Sequence, residues 1–170
     1  MNSTARKFTS PSVLLVVVAA LAAAGCAGGS KIKAKAWNVS ITKRTPASIK
    51  VDLIGITPME KPVWEAYPLD KYWTPGDPRR AAAIADMVTV DLEQDVPWKI
   101  PETDSHWNTW RNRGATDLLI IARLPGRFEN LSGMADPRRV LISLDKRAWK
   151  GKTLEFEVND AGVRNLTPQK

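Results

Sequence analysis

The sequence predicts a mainly-β protein, an antiparallel β-sandwich with two or three short helices in its connections. Six segments have the apolar patterns of strands, turn residues separate them, and the strand–helix alternation of a doubly wound fold is not found. The chain has 170 residues, of which 44% are hydrophobic. This length allows one ordinary domain and a leader, and the composition excludes a disordered or fibrous chain.

The strands are predicted from two kinds of pattern. Residues 37–42 and 48–56 alternate apolar and polar side chains, which is typical of half-buried strands. Four more apolar segments, richer in branched residues, follow at 87–92, 117–124, 139–144 and 153–158. The segment 117–124 is almost continuously apolar, so we expect that strand at the centre of its sheet, buried on both faces.

Helical signals are short and lie in the connections. Asp77 is a favourable N-cap, and Pro78 behind it suits the first position of a helix. A second helix is predicted from about 105 to 112, where a glycine follows. The proline-rich segment 58–75 is predicted as an ordered loop with a helical turn near 69–73.

The first 25 residues read as a cleaved secretory signal. Arg6 and Lys7 precede an apolar run at 13–24, whose twelve residues would make about 18 Å of helix. A bilayer core is about 30 Å thick, so a signal that remains as an anchor is the weaker alternative.

The sequence Ala23-Ala24-Gly25-Cys26 resembles the lipobox of bacterial lipoproteins, although leucine is commoner where Ala23 stands. The resemblance implies that Cys26 receives a diacylglycerol and becomes the new N-terminus; a free Cys26 after ordinary cleavage is the alternative. Stable membrane anchoring then follows, since two or three acyl chains make release negligible. By resemblance to enterobacterial lipoproteins, the absence of Asp at position 27 implies the periplasmic face of the outer membrane.

Residues 26–36 are predicted to be the lipidated Cys and a flexible basic tether, and residues 37–170 a single sandwich domain. Lys31, Lys33 and Lys35 either solvate this tether or attract anionic lipid head groups. The basic residues are otherwise dispersed, so nucleic acid is not expected as a partner.

Catalytic patterns are not found in the sequence. A nucleophile elbow, a glycine-rich phosphate loop and a zinc-protease motif are all missing, so we expect neither an enzyme, a cofactor, a metal nor a small-molecule substrate. His106 is interpreted as a solvated or capping residue. Asp91, Glu93 and Asp95 alternate as Ca²⁺ ligands can, but a solvated strand edge explains them better.

Seven tryptophans are the most unusual feature of the composition. Each can bury on the order of 200 Å², so they can supply much of the core of a small sandwich. The alternative is a surface that stacks on glycan rings or binds a protein partner. For that surface, Trp98, Trp107 and Trp110 are the residues that we expect to be exposed.

The tetrapeptide Asp-Pro-Arg-Arg occurs twice, at 77–80 and 136–139. Its Asp and Pro predict a local turn. Its arginines could additionally bind carboxylates or lipid phosphates. They are Arg79, Arg80, Arg138 and Arg139.

The order of these segments is similar to that of the small outer-membrane lipoprotein of type VI secretion systems. A lipobox, a basic tether and two early strands precede an aromatic excursion at 67–73, and further strands follow. The resemblance covers roughly residues 37–158. It implies a transthyretin-like sandwich, related in layout to immunoglobulin-like ones, that docks through loops between strands onto a periplasmic segment of an inner-membrane partner.

The function expected from the sequence is therefore that of a non-enzymatic assembly component. The membrane holds the chain through acylated Cys26, and the domain binds another envelope protein. A glycan- or lipid-binding module that uses surface tryptophans is the alternative.

Overall fold

The structure is a computed structural model that describes residues 34–126, 128, 131 and 133–170. The predicted signal sequence, the lipobox with Cys26 and the tether as far as residue 33 lie outside the described residues. No helix in the described part is long and apolar enough to cross a bilayer.

Two four-stranded sheets contain the eight strands of the described residues. The strands are β1 Asn38–Arg44, β2 Ile49–Ile56, β3 Val88–Leu92, β4 Trp98–Ile100, β5 Asp117–Arg123, β6 Arg139–Ser143, β7 Thr153–Asn159 and β8 Gly162–Asn165. The sheet orders are β4-β1-β7-β8 and β3-β2-β5-β6. Every pair is antiparallel except β1 with β7, which run parallel from Asn38 opposite Thr153. The predicted mainly-β sandwich is confirmed, with one parallel pair inside it.

Four short α-helices lie in the connections of the described chain: α1 Lys61–Ala66, α2 Leu69–Tyr72, α3 Pro78–Ala83 and α4 His106–Asn112. A 3₁₀ turn follows at Gly133–Ala135. The sequence predicted α2, α3 and α4 but not α1. Pro62 indicated a loop there, whereas proline is tolerated in the first turn of a helix, where it stands. The sequence also missed β4 and β8, which are only three and four residues long.

The main core lies between the two sheets. Alternate residues of β1, among them Val39 and Ile41, pack there against alternate residues of β2, such as Val51 and Leu53. The central position of β5, between β2 and β6, confirms the expectation from its continuous apolar sequence.

A second core lies on the other face of the sheet β3-β2-β5-β6. Ile54, Ile56 and Ile121 of that sheet pack against Trp64 of α1 and Tyr72 of α2. Helices therefore cover this face, which explains why β2 and β5 are buried on both sides.

The strand register separates two ends of the sandwich. Ala34, the first described residue, bridges to Asp145, beside the end of β6 where Ser143 pairs with Asp117. Arg123 ends β5 at the opposite end, about 20 Å further along that strand. We call these ends the tether pole and the far pole.

Candidate functional site

Two of the three tryptophans expected at the surface are buried. Trp107 is 1% exposed and Trp110 is 0% exposed, and their rings meet edge to face with centroids 4.9 Å apart. Their indole nitrogens donate to the carbonyl oxygens of Pro101 and Asp86, at 2.9 and 2.6 Å. The two residues thus supply the core, as the first interpretation of the tryptophans had it. The alternative, an exposed binding surface, was wrong for them, because backbone acceptors satisfy both N–H groups inside the core. Trp98 is half-buried.

A glycine makes the room for this tryptophan pair. A Cβ on Gly55 of β2 would stand 2.4 Å from Cγ of Trp110. The three-residue spacing correctly placed Trp107 and Trp110 on one helix face. That spacing carries no information on whether the face points to solvent or, as here, to the core.

The first Asp-Pro-Arg-Arg segment builds the start of α3. Asp77 accepts a hydrogen bond from the backbone nitrogen of Arg80 at 2.7 Å and another from the Tyr67 hydroxyl at 2.5 Å. The guanidinium of Arg79 lies over the rings of Trp64 and Tyr67, 5.3 and 5.7 Å from their centroids. The segment therefore joins α3 to α1.

The second Asp-Pro-Arg-Arg segment is largely internal. Asp136 accepts from the backbone nitrogen of Arg138 at 3.0 Å and from its Nη2 at 2.6 Å, while Arg138 Nη1 donates to Asp70 at 2.6 Å. Arg139 donates to two backbone carbonyls at the end of α1, at 2.5 and 2.6 Å. Burial lowers the pKa of Arg139. Arg138 and Arg139 are 7% and 3% exposed, so the expectation that they belong to a binding surface is corrected.

A buried carboxylate joins the helical layer to the sheet. Asp52 of β2, fully buried, accepts from the Tyr72 hydroxyl at 2.8 Å, from Arg80 Nε at 2.9 Å and from Thr89 Oγ1 at 2.7 Å. Burial, and then the charge of Asp52, raise the pKa of Tyr72; the hydrogen bond to Asp52 raises that of Arg80. This network holds α2, α3 and β3 against β2, and it leaves Arg80 little freedom to bind an external anion.

A row of charged residues crosses the sheet at the far pole. Lys50 of β2 pairs in register with Asp91 of β3 on one side and with Arg123 of β5 on the other. Lys50 Nζ lies 2.8 Å from the Asp91 carboxylate. Arg123 is exposed and makes no ion pair with any described residue. Its place in the strand alternation puts it on the helix-covered face, beyond the point where the helices end.

Three adjoining depressions of the described surface share Arg123, with volumes of about 380, 340 and 270 Å³. We call them together the Arg123 groove. Its lining combines apolar side chains such as Trp73 and Leu124 with both cations and the carboxylates of Asp70, Asp77 and Asp91. Lys50, Arg80 and Arg138 are already paired with carboxylates, which leaves Arg123, beside Thr74, as the cation of the lining without an ion pair to a described residue. One cation without an internal partner beside apolar side chains suits an extended peptide segment that carries a carboxylate next to apolar residues. The sequence signal for this groove was the arginine that interrupts the apolar run 117–124.

His106, a further polar residue considered in the sequence, forms hydrogen bonds with its near neighbour Asp104. The Nδ1 atom of His106 lies 2.7 Å from the Asp104 carboxylate, which also accepts from the backbone nitrogen of His106 at the start of α4. Within the ranges that the structure covers, no group of three His, Cys, Asp or Glu residues could hold a metal ion.

No protein-family model matches the sequence, and neither does any curated protein. Among solved structures, a chain in the structure of the C-terminal domain of TssM, a type VI secretion system (T6SS) protein from EAEC, is similar to this one. The two chains are 12% identical with a TM-score of 0.52, and the alignment covers 76% of this chain and 99% of that one. Serratia marcescens Lip, a membrane-bound component of the type VI secretion system, matches with 10% identity and a TM-score of 0.47, over 78% and 98%. The T6SS lipoprotein TssJ1 from Pseudomonas aeruginosa matches with 11% identity and a TM-score of 0.47, over 80% and 99%.

Because the first of these structures is only 12% identical to this chain, the similarity to it shows a common fold alone. The sandwich of this chain has the fold of a chain from a type VI secretion structure. The resemblance predicted from the sequence is therefore confirmed as a likeness of architecture.

Proposed function

We propose that this chain is a lipoprotein, anchored through acylated Cys26 at the periplasmic face of the outer membrane, whose domain is a non-enzymatic assembly component. It binds another envelope protein within a type VI secretion apparatus. Three observations support the proposal: the lipobox-like sequence, the likeness of fold to a chain from a type VI secretion structure, and the Arg123 groove.

The observation that carries the proposal is the separation of the two poles. The chain that leads from Cys26 joins the domain at the tether pole, while the Arg123 groove lies at the far pole. A tether of about ten residues reaches at most roughly 35 Å, which confines the domain to a thin shell next to the membrane. The groove lies at the end of the sandwich opposite the point where the tether joins, which leaves it accessible to a partner in the periplasm.

The loop between β1 and β2 is a poor docking element in this chain. It has only four residues, 45–48, and Lys43 Nζ donates to the carbonyls of Thr45 and Ala47 at 2.8 and 3.2 Å. The Thr45 hydroxyl also donates to Asp160. Because this loop is short and is fixed by its hydrogen bonds to Lys43 and Asp160, we assign the partner to the neighbouring Arg123 groove.

Site-specific photo-crosslinking tests this assignment. A photoreactive amino acid at Thr74, inside the groove, is expected to crosslink a type VI secretion protein of the envelope in living cells. The same amino acid at Lys99, exposed on the outer face of the other sheet, serves as the control and is expected to give no such product. Identical products from both positions contradict the assignment.

A charge reversal sharpens the experiment. Arg123→Glu is expected to abolish the Thr74 crosslink, whereas Arg164→Glu, an equal change at an exposed position of β8, leaves it in place. A crosslink that survives Arg123→Glu argues against the groove. The anchor is tested separately: labelled fatty acid is expected to enter the chain, and Cys26→Ser is expected to block incorporation and release the domain from membranes.

A further inference from the structure

We propose that the folded domain makes a second, direct contact with the membrane through a lysine patch at the tether pole. The patch consists of Lys146, Lys150 and Lys152, in the connection between β6 and β7. Its ligands are the phosphates of the anionic lipid head groups around the Cys26 anchor. The inference rests on the proposed anchor and extends it from the tether to the domain.

The structure brings these lysines to the place where the chain joins the domain. Lys146 follows Asp145, which bridges to Ala34. Lys150 donates its backbone nitrogen to the carbonyl of Pro168 at 2.8 Å, in the turn before β7. Lys152 directly precedes β7, whose first residue pairs with the first residue of β1. The two ends of the connection therefore lie beside the segment that enters the first strand.

The positive charge of the patch is not neutralised within the domain. All three lysines are exposed, and none forms an ion pair with a residue that the structure describes. Two carboxylates at the same pole already form ion pairs with other residues. Arg147 Nη2 lies 2.6 Å from Asp145 Oδ2, and Lys61 Nζ lies 3.0 Å from Asp117 Oδ1. Glu102 and Glu155 are the exceptions, two exposed carboxylates that form no ion pair with a described residue. The pole thus presents a net positive surface.

Position favours lipid over an acidic protein as the occupant of this patch. The eight residues from Cys26 to residue 33 span at most about 28 Å, so the pole stays within reach of the head groups. Lys31 and Lys33 of the tether add charge between the patch and the anchor. The patch lysines have no carboxylate partner in the described part of the chain, whereas Arg80 at the far pole is already bound to the carboxylate of Asp52.

The expected strength of the contact follows from the charge. A lysine close to an anionic surface increases membrane partitioning about fivefold, so three together contribute roughly a hundredfold. The interaction is electrostatic, and salt therefore weakens it.

Vesicle sedimentation tests the proposal without the acyl anchor. The chain from residue 26 onward, carrying Cys26→Ser, is mixed with vesicles of phosphatidylcholine and phosphatidylglycerol in equal parts, or of phosphatidylcholine alone. We expect binding to the first vesicles only, weakened by salt. Replacing all three patch lysines by Gln is expected to lower partitioning by roughly one to two orders of magnitude.

A matched variant removes equal charge elsewhere: Arg44, Lys71 and Arg164, all exposed and outside both the patch and the groove, are replaced by Gln. It is expected to keep the binding of the parent chain. Equal losses in both variants, or binding to phosphatidylcholine alone, overturn the proposal. Failure of the partner hypothesis leaves vesicle binding intact, and failure of the lipid contact leaves the Thr74 crosslink intact, so the two results are distinguishable.

Discussion

The two poles of the sandwich both carry basic residues but use them differently. At the far pole, Arg80 binds Asp52 and Arg138 binds Asp136, so these guanidinium groups hold the helices in place, and Arg123 stays without an ion pair to a described residue. At the tether pole, lysines of the β6–β7 connection point into solvent and form no ion pair with a described residue. The difference teaches that the number of cations does not define a binding surface. A cation is available to bind a partner only where no carboxylate of the domain already neutralises it.

The largest expected effect comes from removing the carboxylate under the far pole. Asp52→Ala leaves Tyr72, Arg80 and Thr89 without their common buried partner, so we expect a loss of about 3–5 kcal/mol in the free energy of unfolding. Urea denaturation measures it. The matched control is Asp91→Ala, which breaks a half-exposed pair with Lys50 and is expected to cost under about 1 kcal/mol. Similar losses in both variants would contradict the role of Asp52.

A second comparison contrasts two arginines near the same groove. Arg138→Ala leaves the fully buried Asp136 without its partner and is expected to cost about 3 kcal/mol in urea denaturation. Arg123→Ala removes an exposed side chain and is expected to change stability by under about 0.5 kcal/mol. If Arg123→Ala destabilises the domain as much, Arg123 is a structural residue and not a docking residue.

A third change probes the aromatic core toward the tether pole. Gly55→Ala places a methyl group against Trp110 and is expected to destabilise the domain by about 1–3 kcal/mol. Combining it with Trp110→Leu is expected to cost less than the sum of the two single changes, because the clash is then relieved. Strictly additive losses would show that the two residues do not compete for space.

The smallest effect concerns the pH response of the tether pole. Hydrogen bonds from Arg147 lower the pKa of Asp145 from 3.8 to about 2. A lowered pKa means that this pair contributes stability above about pH 4 and loses the contribution as the pH falls toward 2. Titration of the Asp145 carboxyl carbon by NMR is expected to show this midpoint. Arg147→Gln should raise the midpoint toward 3.8, and Arg44→Gln should leave it unchanged.

Strand positions could be predicted because alternation directly reflects burial between two sheets, as at Val39 and Ile41. The helical cover on the second face could not, because Asp52 alternates like a solvent-facing residue. Its burial depends on a tyrosine and an arginine that lie 20 and 28 residues away in the chain. The helix cap at Asp77 depends on a hydrogen bond from Arg80, only three residues away, and could therefore be predicted from the sequence.

The candidate site was harder to predict than the fold. The paired arginines form a repeated motif in the sequence, but in the fold Arg138 and Arg139 are bound to Asp136 and to a backbone carbonyl. Arg123 stood alone inside an apolar run. Its availability depends on where the helical layer stops, which is a property of packing between distant segments. Single-sequence patterns describe neighbours in the chain and do not describe such boundaries.

The position of β1 inside its sheet has a mechanical consequence for a protein held by its N-terminal side. β1 lies between β4 and β7 and not at an edge. With the anchor proposed at Cys26, a pull would act along this strand. It would load the hydrogen bonds on both flanks in shear, all at once, and would not peel them apart one after another. Tension between a membrane and a bound partner would therefore be shared across the sheet before the leading strand could leave it.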